Sequence, residues 1–570
     1  MNEGDVALAC MRAFVAELVR GGVSEVAISP GSRSTPLALA AARERGLRVH
    51  VHLDERASAF FALGAAKATG RPAAVVTTSG TAAANLFPAV VEASMARVPL
   101  LLLTADRPPE LRGVGANQTI DQVELFGPYV RWFVDADVPT ASENARAVWE
   151  ELARRAIARS LAPRTGPVHV NLPFREPLVP SGVPVELGIA PLGGAPLGDV
   201  PEPRGASAAP TVPEVEALRE ALALDRGVIV AGSLRAECRP ALNLAERRGW
   251  PLFGEPTSRL RVPGSMSVGP LVLGDAAFAN GHVPEVVLQL GPAPTSRAGL
   301  AFAAAAERLV IIDPDGVVGD PSRHADLRIE ADPAPLLETV LPDLGSASPT
   351  SWLEDWRRAD ETARNAVDVL LDGWNEPFEG RIARDLAAHL AESSTLVVGS
   401  SMPVRDLDAY MAPRDGLLVL ANRGASGIDG FVSTVLGVSL ADRPTFALCG
   451  DLTLIHDAGS LLWSARHGYQ AVFVVPNNDG GGIFDLLGQR SLPELDTLFV
   501  TPHRLDLARL ADAAAAGHER IERARDLVPA VERAAAAGGV RIVEVPIDRE
   551  RSIARRAEVA AAVASALERT

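Results

Sequence analysis

The sequence predicts an α/β protein of three domains, each a mainly parallel β-sheet flanked by helices. Short apolar runs bounded by Gly- or Ser-containing turns alternate with stretches of helical periodicity, an order typical of parallel strands buried on both faces. The chain has 570 residues, which exceeds what one hydrophobic core can serve. Several domains of this one class are therefore expected.

Changes in composition along the chain predict the domain limits. A stretch rich in Pro, Gly and Ala that lacks helical and strand periodicity marks a linker, and a charged, Trp-bearing segment of helical periodicity marks a connector. We expect a first domain at 1–186, the linker at 187–213, a central domain at 214–345, the helical connector at 346–379 and a third domain at 380–570.

Strand-like runs define each domain in turn. The first domain contains VSEVAISP, LRVHVHL, AAVVTTS and PLLLLTA, each followed by a turn and a helix-like stretch. The central domain contains RGVIVAGS, EVVLQLG and RLVIIDPDG, and the third contains STLVVGS, GLLVLAN, TFALCGD, AVFVVPN and RIVEVPI. Because the first and third domains follow the same alternation, they could share one architecture.

The charge balance narrows the classes of function. The formal net charge is −16, and the sequence contains no dense run of Lys and Arg. This balance opposes the counterion release that drives binding to nucleic acid, so we expect no nucleic-acid partner. It would also repel anionic substrates, so an acidic substrate must be met by arginines gathered in a cleft.

The cysteines and the apolar segments indicate a cytoplasmic protein. Cys10, Cys238 and Cys449 are far apart and form no C-x-x-C pair, so neither a disulfide framework nor a zinc site is indicated. The first residues combine acids with apolar residues at helical spacing, which is typical of an amphipathic helix and not of a signal peptide. No run of about 18 apolar residues is present to span a bilayer.

One segment of the third domain carries the residues for a cation site. A predicted strand ends at Gly450-Asp451 and is followed by one helix. The next predicted strand ends at Asn478, and Asp479 and three glycines come directly after it. Ligands of open parallel sheets lie beyond the carboxyl ends of the strands, so Asp451, Asn478 and the backbone carbonyl of Gly480 can meet on one cation. These hard oxygens suit Mg²⁺, which completes its shell with phosphate oxygens and water. A turn with a helix cap is the alternative interpretation of Gly-Asp alone.

The spacing from Asp451 to Asn478 resembles the signature of thiamine-diphosphate enzymes, which begins with Gly-Asp and ends with Asn-Asn. The resemblance implies thiamine diphosphate bound through Mg²⁺, with Mn²⁺ as an alternative ion. Gly450, Leu452 and Thr453 would then lie against the cofactor. Leu452 departs from the commonest form of the signature, which has Gly at that place.

Glu55 is the candidate for the catalytic carboxylate of such an enzyme. It follows the run LRVHVHL, and the order of strands, helices and a Gly turn around it resembles the pyrimidine-binding domain of thiamine enzymes. That resemblance implies that Glu55 hydrogen-bonds the aminopyrimidine ring and favours the form that removes the thiazolium C2 proton. Taken alone, Asp54 and Glu55 also fit first-turn acids favoured by the helix dipole.

Four apolar residues complete the expected cofactor site. Ile428, Ile483, Phe484 and Leu487 would wedge and cover the cofactor. Ordinary core packing is the equal alternative at such spacings.

Three longer motifs resemble one family within these enzymes. SPGSRSTPLALA at 29–40, TADRPPELRGVGANQTIDQ and NRGASGIDGFVSTVLGV are similar to the 2-succinyl-5-enolpyruvyl-6-hydroxy-3-cyclohexene-1-carboxylate synthases of menaquinone biosynthesis. The similarity extends over essentially the whole chain, and this family's Gly-Asp-Leu variant accounts for Leu452. It implies a transferase that decarboxylates 2-oxoglutarate and adds the four-carbon succinyl carbanion equivalent to isochorismate in a 1,4-addition.

The resemblance also assigns arginines to the two substrates, which are both dianions. A planar guanidinium can pair two carboxylate oxygens at once. The residues expected to receive isochorismate are Ser32, Arg33, Arg107, Asn117 and Gln118. Those expected to hold the distal carboxylate of 2-oxoglutarate are Ser401, Arg405 and Arg423, with Arg297 at a central-domain position where the family often has Lys. For Arg107 and Arg405, a solvated surface position is the alternative.

The resemblance implies at least a dimer. In these enzymes the pyrimidine-binding domain, here the first, faces the diphosphate-binding domain, here the third, of another subunit. A homodimer and a homotetramer both fit the sequence.

Two other functions stay open: another thiamine-diphosphate decarboxylase or acetolactate-synthase-like carboligase, and a non-catalytic nucleotide-binding regulatory protein. The sequence has no G-x-G-x-x-G motif after a strand, so the typical signal of a nucleotide-binding protein is missing.

Overall fold

The computed structural model of the chain describes residues 2–188, 210–314, 319–345 and 351–569. These residues form three β-sheets in which neighbouring strands pair in parallel, and helices pack against the sheets. The predicted α/β class with three parallel sheets is therefore confirmed. Most of the predicted linker, residues 189–209, and the start of the predicted connector, residues 346–350, lie outside the described residues.

The first sheet belongs to the N-terminal part of the chain. Its strands are β1 (Glu25–Ile28), β2 (Arg48–Val51), β3 (Ala73–Thr77), β4 (Leu100–Asp106), β5 (Trp132–Asp135) and β6 (Pro167–Pro173). Its helices are α1 (Glu3–Arg20), α2 (Thr35–Arg43), α3 (Glu55–Thr69), α4 (Thr81–Ala84), α5 (Phe87–Ala96) and α6 (Ala145–Leu161). The strand order is β2-β1-β3-β4-β6-β5.

The central sheet has a related order. Its strands are β7 (Gly227–Ala231), β8 (Leu252–Gly254), β9 (Val286–Leu290), β10 (Arg308–Ile312) and β11 (Leu327–Ile329), in the order β11-β10-β9-β7-β8. The accompanying helices are α7 (Val212–Leu222), α8 (Arg239–Arg248), α9 (Gly269–Val272), α10 (Ala276–Gly281), α11 (Arg297–Ala305) and α12 (Pro333–Val340). A long helix, α13 (Ser351–Gly373), leads on to the third sheet.

The third sheet repeats the order of the first. Its strands are β12 (Thr395–Val398), β13 (Leu418–Ala421), β14 (Thr445–Leu448), β15 (Ala471–Asn477), β16 (Gly517–Arg520) and β17 (Val540–Pro546), in the order β13-β12-β14-β15-β17-β16. Its helices are α14 (Glu379–His389), α15 (Met402–Tyr410), α16 (Phe431–Val438), α17 (Asp451–His456), α18 (Ala458–Ser464), α19 (Leu507–Ala513), α20 (Leu527–Ala537) and α21 (Arg549–Leu567). The shared architecture of the first and third domains is thus present in the structure.

Apolar residues on alternate sides of the strands create the layers. In β3, Ala73 and Val75 belong to one hydrophobic cluster, whereas Ala74 and Val76 belong to another. Both faces of the sheet are therefore buried, which explains why its strands are continuous apolar runs.

The first and third domains of the same chain pack through α3 and α16. The two helices approach closely at two glycines, where a methyl group on Gly64 would collide with the carbonyl oxygen of Thr434 and one on Gly437 with that of Phe61. A Cβ at either position would push the helices apart. This contact holds α3, whose first residue is Glu55, against the third domain.

One helix begins inside the predicted linker. Thr211 and Glu214 form a capping box, and the proline in the first turn suits a helix start, so α7 begins at Val212. The sheets locate the centre of each domain and not its ends, so the domain limits stay a prediction.

Among the described residues, no helix combines the length and apolar character needed to cross a bilayer.

Candidate functional site

The carboxyl ends of β14 and β15 bring Asp451 and Gly480 together. Asp451 is the first residue of α17 and is 2% exposed. Its Oδ1 accepts a hydrogen bond from the Leu452 amide (2.6 Å) and its Oδ2 accepts one from the Gly480 amide (2.9 Å). The two strand ends are therefore joined through one buried carboxylate.

The donors at this edge fit a hard cation. The Oδ1 atom of Asn478 is buried and has no hydrogen-bond partner among the described residues, which leaves an acceptor for a cation. Gly480 has φ +141°, and a side chain there would collide with the carbonyl oxygen of Val500. Carboxylate, amide and carbonyl oxygens are the ligands that Mg²⁺ prefers. Within the described part of the chain, no group of three or more His, Cys, Asp or Glu offers an alternative metal site.

His503 also reaches Asp451, and no motif in the sequence points to it. Its Nε2 lies 3.3 Å from Asp451 Oδ2, and its side chain is 9% exposed. It belongs to a segment without regular structure that follows the helical turn Leu495–Val500.

The other residues predicted for the cofactor surround this edge. Gly450 precedes α17, and a methyl group there would meet no atom within 4 Å, so space is open in front of the helix. Thr453 is buried and Leu452 is half-buried. The apolar residues predicted to cover the cofactor are half-buried, namely Ile428, Ile483, Phe484 and Leu487.

Glu55 lies in the first domain as the first residue of α3. Asp54 caps this helix by accepting hydrogen bonds from the amides of Arg56 (2.8 Å) and Ala57 (3.3 Å). Glu55 is half-buried, and its Oε2 accepts a hydrogen bond from Asn85 Nδ2 (3.4 Å). Among the described residues, no hydrogen bond joins Glu55 to the Asp451 edge of the same chain.

A first cationic cluster forms where β1, β3 and β4 end. Arg33 is buried, and its guanidinium donates to the carbonyl oxygen of Phe174 (2.9 Å) and to Glu176 Oε1 (2.8 Å). Arg107 is also buried, and its Nη1 contacts Ser79 Oγ. Burial and the charge of Arg33 lower the pKa of Arg107. Two cations are thus held close together. Among the described residues, Glu176 forms an ion pair with Arg33, and the charges of Asp106 and Glu176 both act on Arg107.

Gln118 joins this cluster through Ser79. Its Nε2 donates to the Ser79 carbonyl oxygen (3.0 Å), and Ser79 Oγ donates to the Gln118 carbonyl oxygen (3.1 Å). Ser32 and Asn117 are exposed neighbours of Arg33 and Gln118. Ser79 and Glu176 are contacts that the motifs do not indicate, although Ser79 follows a predicted strand directly.

A second cationic cluster combines residues of the central and third domains. Arg405 Nη1 donates to the carbonyl oxygen of Ser401 (2.5 Å), and Arg423 Nη2 donates to Thr295 Oγ1 (3.3 Å). Burial and the charges of Arg423 and Arg297 lower the pKa of Arg405. None of these three arginines has a carboxylate within ion-pair distance among the described residues. Arg405 and Arg297 are exposed and Arg423 is half-buried. The charges of Asp406 and Glu255 act on Arg405 and Arg423 respectively, from beyond ion-pair distance. An anion can therefore reach all three guanidinium groups.

The loop that carries Arg423 is held by the first domain. Lys67 Nζ donates to Glu92 Oε1 (3.1 Å) and Asn422 Oδ1 (2.8 Å). Glu92 in turn accepts hydrogen bonds from the amides of Gly424 (3.0 Å) and Ala425 (2.7 Å). Both ions of the pair are buried, and burial lowers the pKa of Lys67. The structure adds this ion pair to the site, since sequence patterns do not link residues so far apart.

Three families match successive parts of the chain. The family described as "Thiamine pyrophosphate enzyme, N-terminal TPP binding domain" matches residues 9–125. "Middle domain of thiamine pyrophosphate" matches residues 206–398, and "Thiamine pyrophosphate enzyme, C-terminal TPP binding domain" matches residues 410–545.

Similar proteins carry one name. A 2-succinyl-5-enolpyruvyl-6-hydroxy-3-cyclohexene-1-carboxylate synthase of Thermobifida fusca is 44% identical, over 98% of this chain and 99% of its own. Proteins of the same name from Chloroflexus aurantiacus and Rubrobacter xylanophilus are 40% and 41% identical. These alignments cover 95% and 96% of this chain, and 94% and 97% of the respective relatives.

Proposed function

The chain belongs to the 2-succinyl-5-enolpyruvyl-6-hydroxy-3-cyclohexene-1-carboxylate synthase family, and from this we propose how its residues perform that synthesis. It is a thiamine-diphosphate-dependent enzyme that forms a C–C bond in menaquinone biosynthesis. The donor is 2-oxoglutarate and the acceptor is isochorismate. CO₂ leaves the donor, and the remaining four-carbon unit adds to the acceptor.

The second cationic cluster carries this proposal. Arg423 and Arg297 lie close enough for their charges to act on Arg405, and none of the three arginines forms an ion pair with a carboxylate among the described residues. Arg405 and Arg297 are exposed and Arg423 is half-buried, so an anion can reach all three guanidinium groups from solvent. Arginines gathered in this way are what a chain of net charge −16 needs to bind an anionic substrate. The distal carboxylate of 2-oxoglutarate fits this place, with Ser401 beside it. Pyruvate, the donor of an acetolactate synthase, has no such group.

The cofactor residues have the donors that Mg²⁺ and a diphosphate require. Asp451, Asn478 and the carbonyl of Gly480 would hold Mg²⁺, for which Mn²⁺ is an alternative, and Mg²⁺ would hold the diphosphate. Gly450, Leu452 and Thr453 would lie beside the diphosphate, and the four apolar residues would cover the ring system, namely Ile428, Ile483, Phe484 and Leu487. Thiamine diphosphate, when bound, supplies the electron sink for the carbanion that decarboxylation leaves.

Glu55 is the proposed catalytic residue. Its carboxyl oxygen would hydrogen-bond the aminopyrimidine ring and move a proton between that oxygen and the ring. The helix cap at Asp54 and the close packing of α3 fix the position of Glu55.

The first cationic cluster would receive isochorismate. Arg33 and Arg107 would pair with its carboxylates, and Ser32, Asn117 and Gln118 would orient its polar groups. Substrate binding would then compete with Glu176 for Arg33, because this exposed carboxylate already accepts a hydrogen bond from the guanidinium.

A homodimer or homotetramer in the cytoplasm is proposed as the working form. Exposed apolar side chains stand close in sequence to both halves of the site: Leu53 (62% exposed) shortly before Glu55, and Leu498 (65%) and Leu505 (52%) on either side of His503. A subunit interface at these positions would remove the three side chains from water. An interface there would bring Glu55 of one subunit to the Asp451 edge of another.

Mass spectrometry of the reaction products tests the proposal. Purified protein is incubated with thiamine diphosphate, Mg²⁺, 2-oxoglutarate and isochorismate, and again with pyruvate as the donor. We expect a succinylated isochorismate adduct with 2-oxoglutarate alone. Acetolactate or a free aldehyde would assign the chain to another thiamine-diphosphate reaction. No turnover and no cofactor binding would favour a nucleotide-binding regulatory protein.

A further inference from the structure

A short segment, residues 501–506, folds back over the Asp451 edge and places His503 there. Thr501 (φ 48°) and Arg504 (φ 51°) both adopt the left-handed backbone conformation that favours glycine. Such conformations persist only where surrounding contacts enforce them, and they concentrate at functional sites. We call residues 501–506 the His503 segment.

Backbone contacts attach the His503 segment to the loop that carries the other cation donors. The Arg504 amide donates to Asp479 Oδ1 (2.7 Å), and the Gly481 amide donates to the carbonyl oxygen of Val500 (2.8 Å). The position of the imidazole is therefore fixed relative to the loop from Asn478 to Gly482.

Both nitrogens of the imidazole have polar neighbours, and Nδ1 also lies 3.7 Å from Asp479 Oδ1. The Leu505 amide donates to His503 Nδ1 (2.9 Å), so Nδ1 acts as an acceptor. Nε2 faces Asp451 Oδ2 at 3.3 Å, and it carries a proton both in the neutral ring whose Nδ1 accepts and in the doubly protonated ring. His503 is thus arranged as a hydrogen-bond donor to the carboxylate.

We propose that His503 is a positioning residue that orients Asp451 for Mg²⁺ and, through Mg²⁺, for the diphosphate. The inference rests on the proposed function. The backbone amides of Leu452 and Gly480 hold one oxygen each, and His503 adds the contribution of a side chain to Oδ2. Partners of this kind fix the orientation of a metal ligand, and their loss typically lowers metal affinity about 10–100-fold.

Two substitutions distinguish the contributions of the two ring nitrogens to cofactor binding. In His503→Gln the side-chain amide can donate near the position of Nε2, whereas in His503→Asn the shorter side chain can replace only Nδ1. His503→Phe fills the space and donates nothing, and it repeats the test should the Asn variant fail to fold. His389→Asn changes an exposed histidine of the same domain and serves as the control.

Titration calorimetry with thiamine diphosphate at fixed Mg²⁺ measures the effect without turnover. We expect His503→Asn and His503→Phe to bind about 10–100-fold more weakly than the unmodified protein, and His503→Gln to bind within about threefold of it. At saturating cofactor, kcat of the weakly binding variants should approach that of the unmodified protein, because the reacting groups are intact. Thermal midpoints without cofactor should agree among the variants.

Other outcomes would overturn the inference. If the Asn and Phe variants bind thiamine diphosphate as tightly as the unmodified protein does, His503 does not have this role. If the Gln variant loses as much affinity as the Asn and Phe variants, packing and not hydrogen-bond donation is what matters. Unmodified protein that binds no thiamine diphosphate would refute the proposed function itself, and the role of His503 with it.

Discussion

At the scale of the residue, Glu55 should be separable from cofactor binding. Glu55→Gln keeps the shape and a hydrogen bond but cannot exchange a proton, so we expect kcat to fall about 10²–10⁴-fold with little change in cofactor affinity. Steady-state kinetics and titration calorimetry measure the two quantities. Glu143→Gln, at an exposed glutamate of the same domain, is the control. Turnover like that of the unmodified protein would exclude Glu55 as the catalytic carboxylate.

The two arginine clusters should affect different substrates. Because a charged hydrogen bond contributes about 1.5–3 kcal/mol, Arg405→Gln should raise KM for 2-oxoglutarate roughly 10–100-fold, and Arg33→Gln should do so for isochorismate. Each variant should leave KM for the other substrate nearly unchanged. Initial rates with each substrate varied in turn provide the measurement, with exposed Arg45→Gln as the control. If both variants raise the same KM, the assignment of the clusters is wrong.

His52, three residues before Glu55, should make the fold sensitive to acid. Burial, with the neighbouring His467 and His50, lowers the pKa of His52 to about 3, whereas the unfolded chain binds the proton near its ordinary value of 6.5. The unfolded state therefore holds more protons between these values, and stability falls as pH falls through this window. At pH 5.5 the loss from this one group is about 1.4 kcal/mol.

Thermal unfolding at pH 7.5 and 5.5 checks this expectation. His52→Phe keeps a ring against Phe61, which lies 4.5 Å from His52 between ring centroids, and removes the titrating group. The midpoint of this variant should fall less on acidification than that of the unmodified protein. His389→Gln, at an exposed histidine, should follow the unmodified protein. Parallel pH curves for all three would show that His52 does not contribute.

The sequence predicted the site residues that lie in motifs, but not the residues that hold them in place through hydrogen bonds. Asp451, Asn478 and Glu55 stand beside Gly turns or at helix starts within a few residues of a strand end, where sequence order alone implies a ligand edge. The same rule, had it been applied to the end of AAVVTTS, would also have reached Ser79, which is not among the predicted site residues. Glu92 and His503 have no such signal, because their partners are distant in sequence and His503 lies in a segment without strand or helix.

At the scale of the element, the contact between α3 and α16 should depend on its glycines. Gly64→Ala places a methyl group against the carbonyl oxygen of Thr434, so we expect a loss of about 1–3 kcal/mol of stability and a lower thermal midpoint. Activity should fall as well, since α3 begins with Glu55. Gly459→Ala, in α18, meets no atom within 4 Å and should leave the midpoint unchanged or higher. An unaffected Gly64→Ala midpoint would show that the helices can separate freely.

Central strands could be predicted more readily than edge strands. The strands absent from the sequence prediction include β5, β8, β11 and β16, and each lies at the edge of its sheet. Such strands are short or only partly buried, so no long apolar run identifies them. β6 lies inside the first sheet, but its apolar run is interrupted by His169 and Asn171, which form buried hydrogen bonds with Thr104.

At the scale of the whole molecule, mixing two inactive variants tests where the active site lies. Glu55→Gln damages the first-domain half of the site, and Asp451→Ala damages the third-domain half. In a mixed dimer with sites between subunits, one site receives both damaged halves and the other receives two intact halves. Equal mixing after reversible dissociation should therefore restore about one quarter of the unmodified activity. Co-purification of the two variants through different affinity tags confirms exchange, and a mixture that exchanges but stays inactive would place each site within one subunit.

The equal strand orders of the first and third domains have a further consequence. In each domain the helix between the second and third strands makes the contact, α3 on one side and α16 on the other. Each helix also contributes one glycine and receives its partner's backbone, the reciprocity of a two-fold interface. One polypeptide thus contains the pairing of a symmetric dimer, as expected if an ancestral gene duplicated and fused. Translation then delivers both kinds of half-site in a fixed one-to-one ratio, so neither kind is ever made in excess.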